Sequence, residues 1–122
     1  LIKDKSISVV RDQISNPTYI WHLTNVILQC IMYNIQGLYH YGCQNYLSRY
    51  EFAIAIAEIF NLDASHILPI DTEQLLQEIP TYIARRPLHS GLKTDKIENE
   101  LGLNVYSTSY SLSMLKNILS SS

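Results

Sequence analysis

Ser48 to Ile70 reads SRYEFAIAIAEIFNLDASHILPI, and its order of elements sets the fold class. Ser48 and Glu51 form an S-x-x-E capping box, in which each side chain satisfies the other residue's free backbone N–H. Phe52, Ile56, Ile59 and Phe60 follow at helical spacing, which predicts an amphipathic helix. His66 to Ile70 (HILPI) is apolar but interrupted by Pro69, which suits an edge strand or extended segment. A helix running straight into a strand is the unit of an α/β chain.

Upstream, Ser6 to Val10 (SISVV) alternates and is β-branched, so it reads as a strand. Arg11 to Thr18 (RDQISNPT) is loop, with Asn16-Pro17 forcing an extended or turn geometry. From Tyr19 to about Tyr33, Ile20, Leu23, Ile27 and Ile31 fall at helical spacing and predict a second amphipathic helix. Gly37 ends the connection, and Leu38 to Tyr41 (LYHY) reads as a short strand. Downstream, Asp71 with Gln74 repeats the cap logic for a short helix through Ile79, stopped by Pro80. Arg85 to Leu92 is extended. Thr94 to Leu101 is a helix closed by Gly102, and a last one runs from about Ser109 to Leu119 through Leu112, Leu115 and Ile118. The expected fold is α/β with few short strands and about five helices. So few strands make a poor sheet alone, so some are expected to complete a sheet supplied elsewhere.

The 122 residues fit one domain. Apolar residues are 47% of the chain and charged ones 16%, a folded rather than disordered composition. With so few charges, part of the apolar surface is expected to cover a missing neighbour. The net charge is -2, and the basic residues gather nowhere beyond Arg85-Arg86, which argues against nucleic acid as a partner. No apolar run approaches the ~20 residues a bilayer span needs. Cys30 and Cys43 have neither CxxC spacing nor a zinc-spaced histidine, so reduced thiols in a cytoplasmic protein are expected. The chain opens on Leu1 in mid-pattern, without initiator Met or signal peptide, and reads as a piece of a longer polypeptide.

Four chemistries are unsupported by the residues. Gly37, Gly42, Gly91 and Gly102 lack the spacing of a dinucleotide fingerprint or a P-loop. No Tyr has Lys four positions later, the pairing by which short-chain dehydrogenases lower a phenol's pKa. His22, His40, His66 and His89 are scattered, which predicts no metal site. No G-x-S-x-G elbow occurs. No catalytic residue is therefore assigned. Arg86, held before Pro87 in an extended loop, is more informative: its fork suits a diphosphate bidentately, or a surface salt bridge.

Four pieces in order resemble the substrate-binding part of dTDP-4-dehydrorhamnose reductases, within the extended short-chain dehydrogenases. V-x-D-Q-x-x-x-P-T-Y is matched by Val10, Asp12, Gln13, Pro17, Thr18 and Tyr19. G-x-Y-H is matched by Gly37 to His40, and S-x-Y-E-F-A by Ser48, Tyr50, Glu51, Phe52 and Ala53. A-x-R-P-x-x-S-x-L is matched by Ala84, Arg86, Pro87, Ser90 and Leu92. The stretch from Ser48 to Ile70 is similar also to the regulatory β subunit of methionine adenosyltransferase, a branch of the same family. The family has Gly where Ser15 stands, and Asp-Leu-Ala where this chain has His22-Leu23-Thr24.

The resemblance implies that residues 1–122 are the carboxy-terminal, substrate-binding portion of a Rossmann-type reductase whose cofactor-binding part is absent. It implies a nucleotide-sugar ligand, held by Arg86 with the loop carrying Gln13, Pro17, Thr18 and Tyr19. NAD(P)H is implied for the parent chain, and no cofactor for this segment alone. The alternative is part of a non-catalytic regulatory relative that acts through a protein partner or homodimer.

Overall fold

The structure is a computed structural model, and it describes residues 5–78 and 84–121. Strand β1 (Ile7–Val10) lies parallel to β4 (Ile67–Ile70), in the register Ile7 to Ile67 and Val10 to Ile70. Pro69 sits opposite Val9 in this pair. Among the described residues the ribbon has two strands, so one side of β4 has no described partner and the missing proline N–H costs no ladder bond there. A two-stranded ribbon is marginal alone. Here helix α2 (Arg49–Phe60) packs on both strands and also on α5 (Thr108–Ser120).

Both halves of the expected capping box are present at the start of α2. Ser48 Oγ accepts from the Glu51 N–H at 3.1 Å, and the Glu51 carboxylate accepts from the Ser48 N–H at 2.7 Å. The deepest residue of α2 is Ala57, not one of the bulky residues on the predicted face. A methyl at that position lets the helix approach both layers closely, and the larger side chains around it are left half-buried. Val10, Ala57, Ile70, Ile97 and Leu112 are among the buried apolar residues. Asn61 ends α2 in the left-handed region at φ 54°, as a helix C-terminus favours for Asn or Gly.

A second small ribbon was not legible in the sequence. β2 (Ile14–Ser15) pairs antiparallel with β3 (Leu47–Ser48), and Ile14 also bridges to His89. The Ile14 N–H donates to the Leu88 carbonyl at 2.7 Å, and the Ser90 N–H donates to the Ile14 carbonyl at 2.9 Å. Two-residue strands give no periodicity to detect.

One expectation is corrected. Leu38 to Tyr41 is not a strand among the described residues. Its groups turn toward α4 (Asp95–Leu101) instead: the Lys96 ammonium donates to the Leu38 carbonyl at 2.9 Å and sits over the Tyr39 ring. Tyr39 donates its hydroxyl to Glu100. Among the described residues no neighbouring strand pairs with the segment. The expected helix α1 (Ile20–Met32) rests on the molecule through His22 and Val26, while Ile20 is 69% and Ile31 71% exposed. Of the predicted stripe, Ile20, Ile27 and Ile31 face solvent and Leu23 is half-buried. The loop before α1 sets this rotation: Tyr19, its N-cap residue, lies with its ring edge-on to His22.

No Asp, Glu, Lys or Arg occurs between Asp12 and Arg49, so α1 and both flanking loops are free of formal charge apart from histidine. Helix α3 (Thr72–Glu78) and α4 complete the fold. Gly102 closes α4 at φ 61°, in the expected left-handed conformation. The expected helix end at Ile79 and the stop at Pro80 lie outside the described residues. Cys43 is buried and Cys30 half-buried, and no disulfide joins them. No described helix is long and apolar enough to cross a membrane.

Candidate functional site

The loop after β1 is held by a short polar relay. Thr72 donates its hydroxyl to the Asp12 carboxylate at 2.7 Å, and its backbone N–H reaches the same carboxylate at 3.0 and 3.1 Å. These bonds hold the Asp12 carboxyl below its usual pKa, the Thr72 hydroxyl contributing most. Asp12 thereby does from β1's end what a cap residue does, at the positive end of α3. Because the Thr72 proton is spent on Asp12, its oxygen accepts from the Gln13 amide nitrogen at 3.0 Å. The orientation of Gln13 follows: its carbonyl oxygen is left as an acceptor.

A second clamp holds the other side. The buried Asn16 side chain donates to the carbonyls of Cys43 and Leu92 at 3.1 and 3.0 Å, and accepts from the Leu92 N–H at 2.9 Å. Three chain segments meet on one amide. Gly42 is required by this arrangement, since a Cβ there would stand 2.5 Å from the Asn16 nitrogen. With residues 88–90 tied to Ile14 and Leu92 tied to Asn16, Arg86 and Pro87 are brought beside Gln13.

The result is a cavity of about 320 Å³ lined by Gln13, Ser15, Arg49, Arg86, Pro87 and Ser90. Its two charged residues are guanidiniums. Neither forms an ion pair among the described residues, whereas Arg11 is held by Asp71 and Arg85 approaches Glu73 at 4.0 Å. Glu51, the acid nearest Arg49 in sequence, is committed to the capping box. Two forked donors, one amide acceptor and two hydroxyls suit an anionic group carrying hydroxyls.

Among the expected site residues, Gln13 and Arg86 share this cavity. Pro17, Thr18 and Tyr19 do not line it. The Pro17 carbonyl accepts from the Cys43 N–H at 2.9 Å, and the Thr18 hydroxyl turns back to the Asn16 carbonyl. Tyr19 packs on His22, with its hydroxyl buried and unpartnered among the described residues. Sequence reasoning missed Arg49. Arg49 reaches the cavity because Leu47, two residues earlier, pairs with Ser15, and that pairing has no sequence signature. No group of three or more His, Cys, Asp or Glu able to hold a metal occurs among the described residues.

Fold and cavity together define an α/β lobe that presents a hollow lined by two guanidiniums and carries no cofactor fingerprint or Tyr-x-x-x-Lys pair in its sequence. Residues 1–119 match the family model described as RmlD substrate binding domain, and the chain belongs to that family. It is similar to the dTDP-4-dehydrorhamnose reductase of Clostridium acetobutylicum at 28% identity and TM-score 0.82, covering 95% of this chain and 39% of that one. The Bacillus anthracis dTDP-4-dehydrorhamnose reductase, solved in complex with NADP, gives 30% identity and TM-score 0.76, covering 91% and 37%. Methionine adenosyltransferase 2 subunit beta of Danio rerio is 37% identical over 78 residues, 63% of this chain and 22% of that protein. The chain thus spans well under half the length of these relatives.

Proposed function

We propose that this chain is the carboxy-terminal, substrate-binding wall of an NAD(P)H-dependent reductase acting on a 4-keto sugar nucleotide of the dTDP-4-dehydrorhamnose type. The observation that carries the reading is the meeting of Gln13 and Arg86, far apart in sequence, at one cationic hollow with no lining carboxylate. Arg86 and Arg49 grip the diphosphate through their forks, and the Gln13 carbonyl oxygen accepts a hydroxyl of the ligand. The Bacillus anthracis relative's complex with NADP supports NADPH as the parent's hydride source. Cofactor and proton donor belong to the part of such a reductase outside these residues. The solvent-facing stripe of α1 supports the same reading, because a lobe built to pack on further polypeptide leaves such a surface.

Isothermal titration of the complete polypeptide with a dTDP-sugar tests this. Arg86→Ala and Arg49→Ala are each expected to weaken binding by ~10-fold or more, the scale of a lost charge-assisted hydrogen bond. Unchanged affinity in both variants removes the pair from the site.

A second reading is favoured by one observation. His22 stands where the family pattern has Asp and is buried among tyrosines, a departure that sits with the similarity to a methionine adenosyltransferase subunit. On this reading the chain is part of a regulatory subunit that binds such an enzyme. Copurification with a methionine adenosyltransferase from the same source, together with no reductase turnover, would establish it over the first.

A further inference from the structure

His22 opens on a separate hollow, and its chemistry is fixed by its neighbours. The ring is buried, with Tyr106 at 4.3 Å and tilted, and Tyr19 edge-on at 4.9 Å between centroids. Its Nδ1 lies 3.4 Å from the Ser111 hydroxyl. That hydroxyl donates its one proton to the Ser107 carbonyl at 3.0 Å. Ser111 is therefore an acceptor toward His22, and the ring proton sits on Nδ1. Nε2 is left with a free lone pair and no protein partner among the described residues.

The hollow that His22 lines measures about 170 Å³ and includes Asn25, Gln29, Tyr41, Asn104 and Tyr106. A space of ~150 Å³ accommodates a six-membered ring. No Asp, Glu, Lys or Arg lines it. The side-chain amides of Asn25, Gln29 and Asn104 make no hydrogen bond to the described protein, so each offers both donor and acceptor. Tyr41 is already engaged, donating to the Asn104 backbone carbonyl, and with Tyr106 it supplies aromatic surface. A neutral acceptor, three amides and aromatic walls, without a charge, match a ligand rich in hydroxyls and poor in charge.

We propose that the His22 hollow is a second binding site, specific for an uncharged polyol ring such as a sugar. It shares no residue with the Gln13–Arg86 cavity, so it stands whether or not that cavity binds a nucleotide. The family pattern carries Asp at the position of His22, so the uncharged acceptor belongs to this chain.

Long-range proton–nitrogen NMR of the nitrogen-15-labelled protein reads the ring directly. In the free protein Nε2 is expected to be unprotonated. Titration with methyl α-glucopyranoside or myo-inositol should move the Nε2 resonance saturably, while inorganic phosphate should not. Gln29→Ala and Asn104→Ala, both away from the core, should each weaken that binding by ~10-fold, the scale of one lost hydrogen bond; Arg86→Ala should leave it unchanged. A proton on Nε2, no saturable change with either polyol, phosphate binding as tightly as the polyols, or Gln29 and Asn104 variants that bind like the parent would each overturn the site.

Discussion

A buried hydroxyl on Tyr19 and the buried ring of His22 make the residue scale testable. The Tyr19 hydroxyl is buried without a partner among the described residues, and an unsatisfied buried hydroxyl costs free energy that a phenyl ring does not. Tyr19→Phe is therefore expected to stabilise the protein by about 1 kcal/mol in urea unfolding, and to leave dTDP-sugar affinity unchanged. Loss of affinity would return Tyr19 to the ligand site. His22 gives a pH dependence. Burial lowers its pKa from the model-peptide value of 6.5, so the unfolded chain binds a proton more readily than the folded one. Stability from this residue is complete above 6.5 and is lost as pH falls from there toward the folded-state pKa. Unfolding midpoints measured between about pH 7.5 and 5 should decline, and His22→Gln should flatten that part of the curve.

The elements divide according to what announces them. Ser48, Glu51 and Gly102 are read from one chain segment, because a cap needs only neighbours within a turn. Ser48→Ala should accordingly cost about 1 kcal/mol, measured by chemical denaturation, with α2 retained. The β2–β3 ribbon, the Asn16 clamp and the place of Arg49 depend on residues that approach only after folding, and nothing periodic marks them. Gly42 shows the same limit. Its backbone is close to Asn16 for a tertiary reason, and Gly42→Ala is expected to destabilise by about 1–3 kcal/mol through overpacking. Leu38 to Tyr41 is the converse case: strand-forming residues that lack a partner strand and give their backbone to Lys96 instead. Of the residues lining the candidate cavity, the family resemblance put forward Gln13 and Arg86. The amide orientation of Gln13 followed only from the Thr72 bond.

At the scale of the whole molecule, the α/β order and five helices were legible, but the direction of α1 was not. Hydrophobic spacing identifies an apolar face without saying what covers it. Ile27, Leu28, Ile31 and Met32 are all among the exposed apolar residues. Replacing Ile31 by Lys is expected to change the stability of this chain by no more than about 0.5 kcal/mol, as for ordinary surface positions. It should at the same time lower the binding of an apolar fluorescent dye. If Ile31→Lys unfolds the chain, the face is not a free surface.

The absence of ions between Asp12 and Arg49 has a practical result. Where a surface carries charge, added salt weakens its attractions by screening. Here there is little for salt to screen, and sulfate or phosphate acts chiefly by tightening apolar contact. Self-adhesion through α1 should then grow with ionic strength, and dilute buffer, not brine, is the medium in which this lobe stays dispersed.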